Sequence, residues 1–342
     1  MGNFFYIIIF NIYLYIMSKK FKVIGEGSYG CVIKPSLKCK NKLNKKTYKN
    51  KVSKIMRHNH ALIELNENNN IKNLPNIDKY AIVNPILCKP KLTTSFKKTT
   101  KKCENEKIKA ELKNNISNLS LLLLEDGGMS FHDIIKNYND FSSTDIKIIL
   151  YSIINLFEGL IFFRQHKIIH NDIKGNNYVY NNHTFKSKFI DFGLARNNKK
   201  LIRDAKNNKY DRVFESWPYY APEHICSNYE DFRDLIKCKK YNNMEYKKFI
   251  NKFILTLDSY SLSYSLIKFF KEISKKNQIS KFNVLFSKII DLLKPYCHPD
   301  FNERDSNIEL LIKKYKLLLK KYHIYSPDIT IKQMKNMTQK SK

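Results

Sequence analysis

The spacing of hydrophobic positions changes partway along the chain. Up to about residue 124, short apolar runs alternate with turn residues. Residues 21–34 (FKVIGEGSYGCVIK) predict a strand, a glycine turn and a second strand, and residues 51–56 (KVSKIM), 81–87 and 119–124 (LSLLLL) predict further strands. A helix is expected over 60–73, ending near Leu74-Pro75. Residues 36–50 and 89–118 are rich in Lys and polar residues and predict loops, the second an insertion with room for one helix. Beyond Gly127-Gly128 the period lengthens. Ile146, Ile149, Leu150, Ile153, Ile154, Phe157, Leu160 and Ile161 fall at helical spacing, predicting a helix over 143–166 that Ser142 or Ser143 can cap. Residues 168–193 predict short strands and loops, most of 227–318 predicts helix, and 319–342 predicts a loosely held basic tail. A strand-rich first part and a helix-rich second part predict an α+β protein with two lobes and a cleft between them: a small β-rich N-lobe and a larger, mainly α-helical C-lobe.

Composition changes this picture little. A chain of 342 residues with 43% hydrophobic residues can bury a large core, which argues against disorder. A net charge of +31 could attract nucleic acid, acidic lipid or an acidic protein. Lys, Asn, Ile and Tyr are enriched together, as AT-rich codons would give, and Arg, the better reader of bases and phosphates, is scarce. Codon bias is therefore preferred to a nucleic-acid partner. The cysteines at 31, 39, 88, 103, 226, 238 and 297 are odd in number and contain no Cys-x-x-Cys, so neither a disulfide framework nor a zinc site is expected. A reducing, intracellular (cytoplasmic) compartment follows from that reading. Residues 4–17 (FFYIIIFNIYLYIM) are almost wholly apolar but fall short of the roughly 20 residues that cross a bilayer, and they lack a signal peptide's basic leader. The favoured expectation for the apolar extension over 1–17 is a start at Met17, with Met1 to Ile16 dispensable; the alternative is peripheral membrane contact through 4–17.

The chemistry lies in a few short motifs. Gly25-Glu26-Gly27-Ser28-Tyr29-Gly30 is a G-x-G-x-x-G, weak by itself. Cys31-Val32-Ile33 follows as strand, not as the helix a dinucleotide fold requires, and no Lys follows Gly30 as in a Walker A loop. A glycine hairpin whose N–H groups reach phosphate oxygens fits better, with an ordinary tight hairpin the bland alternative. His170-Asn171-Asp172-Ile173-Lys174-Gly175-Asn176-Asn177 sets Lys two residues and Asn five residues after an Asp, and Asp191-Phe192-Gly193 follows. Together with Val52-Ser53-Lys54 and Ala221-Pro222-Glu223, in this order, these motifs resemble the protein kinase superfamily over about residues 21–318. With its basic insertions and Asn-rich loops the chain resembles divergent serine/threonine kinases of large DNA viruses, which would place it in a host cell's cytoplasm.

The resemblance implies a kinase domain over 18–318, with its N-lobe at about 18–126, its C-lobe at about 127–318 and a tail at 319–342. It implies ATP and Mg²⁺ as cofactors and a protein as substrate. Ile24, Gly25, Glu26, Gly27, Ser28, Tyr29, Gly30 and Val32 would cover the nucleotide, and Lys54 would pair with its α- and β-phosphates. An acid on the following helix should hold Lys54; Glu67 is chosen, because Ile71 and Leu74 follow it at helical spacing, and Glu64 remains open. Glu125-Asp126-Gly127 resembles the hinge whose backbone binds adenine. Asn177 and Asp191 would hold Mg²⁺, Asp172 would orient the substrate hydroxyl, and Lys174 would meet the γ-phosphate. Lys174 and Ser216 resemble the serine/threonine branch. Asp258 resembles the Asp that steadies the catalytic loop, and Arg304 the partner of Glu223.

One departure matters. Asn171 stands where the family has an Arg that grips a phosphate on the activation segment, so switching by phosphorylation there is not expected. The competing reading is a pseudokinase scaffold. The presence of Lys54, Asp172, Asn177 and Asp191 favours an enzyme.

Overall fold

The computed structural model describes residues 21–27, 29–210, 217–276 and 282–325, with Gln333 and Asn336. The apolar N-terminal run, Ser28, Ser216 and most of the basic tail lie outside the described residues. The chain divides into two compact units, Met1–Asn73 with Val83–Asp126, and Leu74–Ile82 with Gly127–Lys342. The sequence reading placed 74–82 in the first lobe. These residues belong to the second, because Phe189 donates its N–H to the Tyr80 carbonyl at 2.8 Å and Ile82 donates to Phe189 at 2.9 Å.

The first unit is built on strands β1 (Lys22–Gly27), β2 (Gly30–Lys34) and β3 (Lys51–Arg57), helix α1 (His58–Ile71), strand β4 (Ile86–Cys88), helices α2 (Thr94–Thr100) and α3 (Glu106–Asn114), and strand β5 (Leu119–Glu125). The strands form an antiparallel sheet in the order β1-β2-β3-β5-β4. The unbroken Leu run of β5 is buried on both faces. Leu119, Leu121 and Leu123 meet Phe96 of α2 and Ile108 of α3, while Leu122 turns toward Met56 and Ala61. The expected strand over 81–87 is shorter. Ala81 makes only a bridge to Phe189, and Asn84 (φ 66°) followed by Pro85 breaks the run before β4. The insertion at 89–118 holds two helices where room for one was read. Each is too short and too sparsely apolar to show a period, yet each is capped, by Thr93 accepting from the Phe96 N–H and by Asn105 accepting from the Ile108 N–H.

The second unit continues with β6 (Met129–Ser130), α4 (Phe131–Lys136), α5 (Ser143–Gln165), β7 (Ile168–Ile169), β8 (Tyr178–Asn181), β9 (Lys186–Phe189), β10 (Arg196–Asn197), α6 (Asn198–Lys206), α7 (Tyr229–Asp234), α8 (Tyr246–Ser274), α9 (Asn283–Leu293) and α10 (Ile308–Lys321). Its strands pair as β6-β8-β9 and β10-β7. Helix α5 starts at a capping box between Ser142 and Asp145. It is long and apolar enough to cross a bilayer but is a core helix, with Ile153, Leu156 and Phe157 fully buried. The tail begins later than expected. Leu319 and Ile324 are buried and Tyr325 stacks on Tyr151 at 5.9 Å, so the packed chain runs to at least residue 325.

Cysteine pairing overturns the reading from cysteine spacing. Among the described residues Cys31–Cys103, Cys39–Cys88 and Cys226–Cys238 are disulfide-bonded, with Cα atoms 6.1, 5.7 and 5.7 Å apart. An odd count and the lack of Cys-x-x-Cys cannot exclude pairs 72, 49 and 12 residues apart that the sheet and the helices bring together.

Candidate active site

In the first unit the glycine motif is the β1–β2 hairpin, with Gly27 opposite Gly30. Gly30 has a steric reason: a Cβ there would run into the Ile55 carbonyl oxygen on β3. Ile24 and Tyr29 are exposed, Val32 is half-buried, and Tyr29 lies 4.9 Å from the His60 ring. The exposed Glu26 is engaged by the inserted segment, its carboxylate accepting the Glu104 N–H at 3.0 and 3.1 Å. Beside the hairpin Lys54 on β3 is buried, and its ammonium meets Glu64 Oε2 at 2.7 Å.

The acid partner of Lys54 is therefore Glu64, and the choice of Glu67 is corrected. The buried stripe of α1 is Ala61, Glu64, Asn68 and Ile71, whereas Glu67 is half-buried and accepts from the Asn70 amide. Leu74, used to support Glu67, lies beyond the helix end at Ile71. At the end of β5, Glu125 is exposed, Asp126 pairs with Lys34 at 2.6 Å, and the Asp126 N–H is taken by the Asn50 carbonyl. Gly127 packs so tightly that a Cβ would lie 2.5 Å from Ile82 and Val179 side-chain carbons.

In the second unit the loop after β7 gathers the other residues. The carboxylate of Asp172 is held from two sides. Lys174 Nζ donates to it at 2.9 and 3.0 Å, and the Asn177 amide donates to its Oδ2 at 2.7 Å and to its carbonyl at 2.8 Å. Desolvation raises the Asp172 pKa above the ordinary carboxylate value, against the pull of the Lys174 cation. Asp258 on α8 steadies the loop from beneath, its oxygens accepting the N–H groups of His170 at 2.7 Å and Asn171 at 3.0 Å. Asp191 takes a left-handed φ of 64°, and the fully buried Phe192 ring next to it lies 4.6 Å from His170.

Asn171 also adopts the left-handed region, φ 63°, which Asn tolerates better than most residues. Its Oδ1 accepts the hydroxyl of buried Tyr210 at 2.7 Å, and its carbonyl accepts the Tyr220 hydroxyl at 3.1 Å. The Tyr210 hydroxyl also lies 3.3 Å from His224 Nε2, and Asn228 holds the Tyr210 backbone at both N–H and C=O. Sequence reading noted the missing Arg but not these partners, which lie 39 or more residues downstream. Glu223 and Arg304 form a bidentate ion pair with both side chains wholly buried. Arg304 also donates to the His298 carbonyl at 3.1 Å and stacks on Tyr260 at 4.7 Å.

Comparison with known proteins agrees with this arrangement. The protein kinase domain family matches residues 18–316. A search of curated proteins finds no match. With a buried Lys–Glu pair beside a glycine hairpin, an Asp–Lys–Asn loop resting on Asp258, and a family match over most of its length, the chain belongs to the protein kinase domain family.

Proposed function

We propose that the chain is an active serine/threonine kinase that transfers the γ-phosphoryl group of ATP to a protein hydroxyl. The observation that carries this reading is Asp172 held by Lys174 and Asn177. A desolvated carboxylate fixed by both a cation and an amide on one loop suits a group that orients an alcohol for in-line attack. Lys54, fixed by Glu64, would meet the α- and β-phosphates beneath the glycine hairpin, and the backbone at Glu125 and Gly127 would receive adenine. Lys174 would turn from Asp172 toward the γ-phosphate, with Ser216 and Lys174 supporting serine or threonine as acceptor.

The donor set fits Mg²⁺. A hard cation takes oxygen ligands, which Asp191 and Asn177 supply, and the Asn177 amide nitrogen is committed to Asp172, so its oxygen is the end suited to a metal. When bound, Mg²⁺ neutralises phosphate charge. Mg²⁺-ATP is expected to raise the melting temperature of the purified protein, because a ligand that binds only the folded state stabilises it. Asp191→Ala should abolish the Mg²⁺-dependent part. An equal shift in EDTA would favour the scaffold reading. Phosphoamino-acid analysis after incubation with labelled ATP and a panel of acidic and basic proteins tests the acceptor.

The hydrogen bonds at Asn171 support activity without phosphate on residues 194–220. Tyr210 occupies the space before Asn171 with a neutral hydroxyl, in place of a phosphate on an Arg. Phosphatase treatment is expected to leave kcat unchanged. Tyr210→Phe leaves Asn171 Oδ1 without this donor and should lower kcat by about tenfold, the scale of one unsatisfied buried acceptor. A large loss on phosphatase treatment would show that a phosphate sets the loop. An intracellular site of action belongs to the same proposal, as does membrane contact through 4–17 as its alternative.

A further inference from the structure

The inserted helices α2 and α3 have no part in the reading above, yet the turn between them reaches back to the glycine hairpin. At Cys103-Glu104-Asn105 three successive residues touch it. Cys103 is bonded to Cys31, the first residue after Gly30, and both are fully buried. The Glu104 N–H donates to both oxygens of Glu26, and the Asn105 amide donates to the Gly27 carbonyl at 2.6 Å. Two residues on, Lys107 lies 5.9 Å from the centre of the Tyr29 ring at the hairpin tip. Asn105 serves both sides at once, because its Oδ1 caps α3 by accepting the Ile108 N–H at 3.1 Å while its nitrogen holds Gly27. The cap fixes the side chain, and the fixed side chain can then hold an otherwise exposed loop carbonyl.

We propose that the Cys103-Glu104-Asn105 corner is a latch on the glycine hairpin, with Asn105 a positioning residue for ATP and the Cys31–Cys103 bond its redox-sensitive pin. The inference rests on the reading of that hairpin as a phosphate cradle. A hairpin whose strands end in Gly27 and Gly30 is loosely constrained by composition, and it can present N–H groups to phosphate only once its backbone is ordered. The latch orders it before nucleotide arrives. Reduction by a dithiol opens the pin: the S–S bond accepts two electrons and two protons, Cys31 and Cys103 become thiols, and the dithiol closes to its own disulfide.

Asn105→Asp separates latch from helix, because Asp caps a helix as well as Asn but has no N–H to offer Gly27. The variant should raise KM for ATP about fivefold, the usual worth of one hydrogen bond, with kcat within about twofold and an unchanged melting temperature. Hydrogen exchange of peptides covering 22–34, read without nucleotide, should quicken in Asn105→Asp and in wild type treated with dithiothreitol. The Cys31→Ser/Cys103→Ser variant should exchange like reduced wild type and ignore dithiothreitol. Unchanged exchange in Asn105→Asp overturns the latch. A dithiothreitol response that persists in the double variant overturns the pin, since Cys39–Cys88 or Cys226–Cys238 would then be its source. Should the double variant not fold, mass spectrometry decides: wild type whose exchange quickens before Cys31–Cys103 is reduced overturns the pin. Because exchange is read without ATP, wild type that fails to bind ATP brings down the proposed function and leaves the latch to be judged on its own.

Discussion

Asp172→Ala is expected to lower kcat by about 10²–10⁴-fold, the share of a positioned general base, with the fold intact. The fold should survive because the carboxylate is held by Lys174 and Asn177, while the loop backbone is held separately by Asp258. The KM for ATP should move little, since Asp172 would face the acceptor hydroxyl and not the nucleotide base. Turnover that survives the substitution would remove Asp172 from the chemistry. The wild-type pH profile carries a second test. A base works only when deprotonated, so kcat/KM falls as pH drops through its pKa. Burial raises that pKa, and the acid limb should therefore lie above the ordinary aspartate value of 3.8. Lys174 opposes the rise, so Lys174→Met should move the limb further up; a limb that moves down would contradict the assignment.

The second large effect concerns stability. Removing either partner of the Glu223–Arg304 pair should cost about 3–5 kcal/mol, because both side chains are wholly buried and the survivor keeps an uncompensated charge. Glu223→Ala strands a guanidinium between Tyr260 and the His298 carbonyl, so its melting temperature should fall by an amount on the order of 10 °C. Replacing both residues with apolar ones of similar volume should recover much of the loss, since the desolvation penalty goes with the charges. Single variants that melt with wild type would mean that water reaches the pair. The two experiments are independent, one acting on turnover at constant stability and the other on stability first.

Much of this site is legible in the sequence because its polar residues are local. Asp172, Lys174 and Asn177 lie within six positions, so their order alone implies that one loop holds them, and the loop does so. Glu223 and Arg304 were matched across 81 residues only through the family's pattern. What the sequence hides depends on helix phase and on distance along the chain. Glu64 and Glu67 differ by three residues, less than a full turn, and the choice turns on where α1 ends, which the apolar Leu74 obscured. The hydroxyls that Asn171 accepts belong to Tyr210 and Tyr220, two of many tyrosines, with nothing in their spacing to mark them. The corner that grips the hairpin lies 78 residues from it, in a stretch whose Lys-rich composition argued for a loop.

The bonds that Asn171 accepts from Tyr210 and Tyr220 carry no formal charge, and that has a consequence for how they respond to the medium. A phosphate gripped by a guanidinium is an ion pair, whose strength depends on screening by dissolved salt. The Asn171–Tyr210 bond is neutral and buried, and counter-ions do not compete for it. His224 beside it is kept uncharged by burial, with its pKa lowered to about 4, so ordinary acidification does not introduce a charge either. The Asn171–Tyr210 contact is therefore expected to be indifferent to ionic strength and to moderate acid, whereas the Asp172–Lys174 ion pair on the same loop is not.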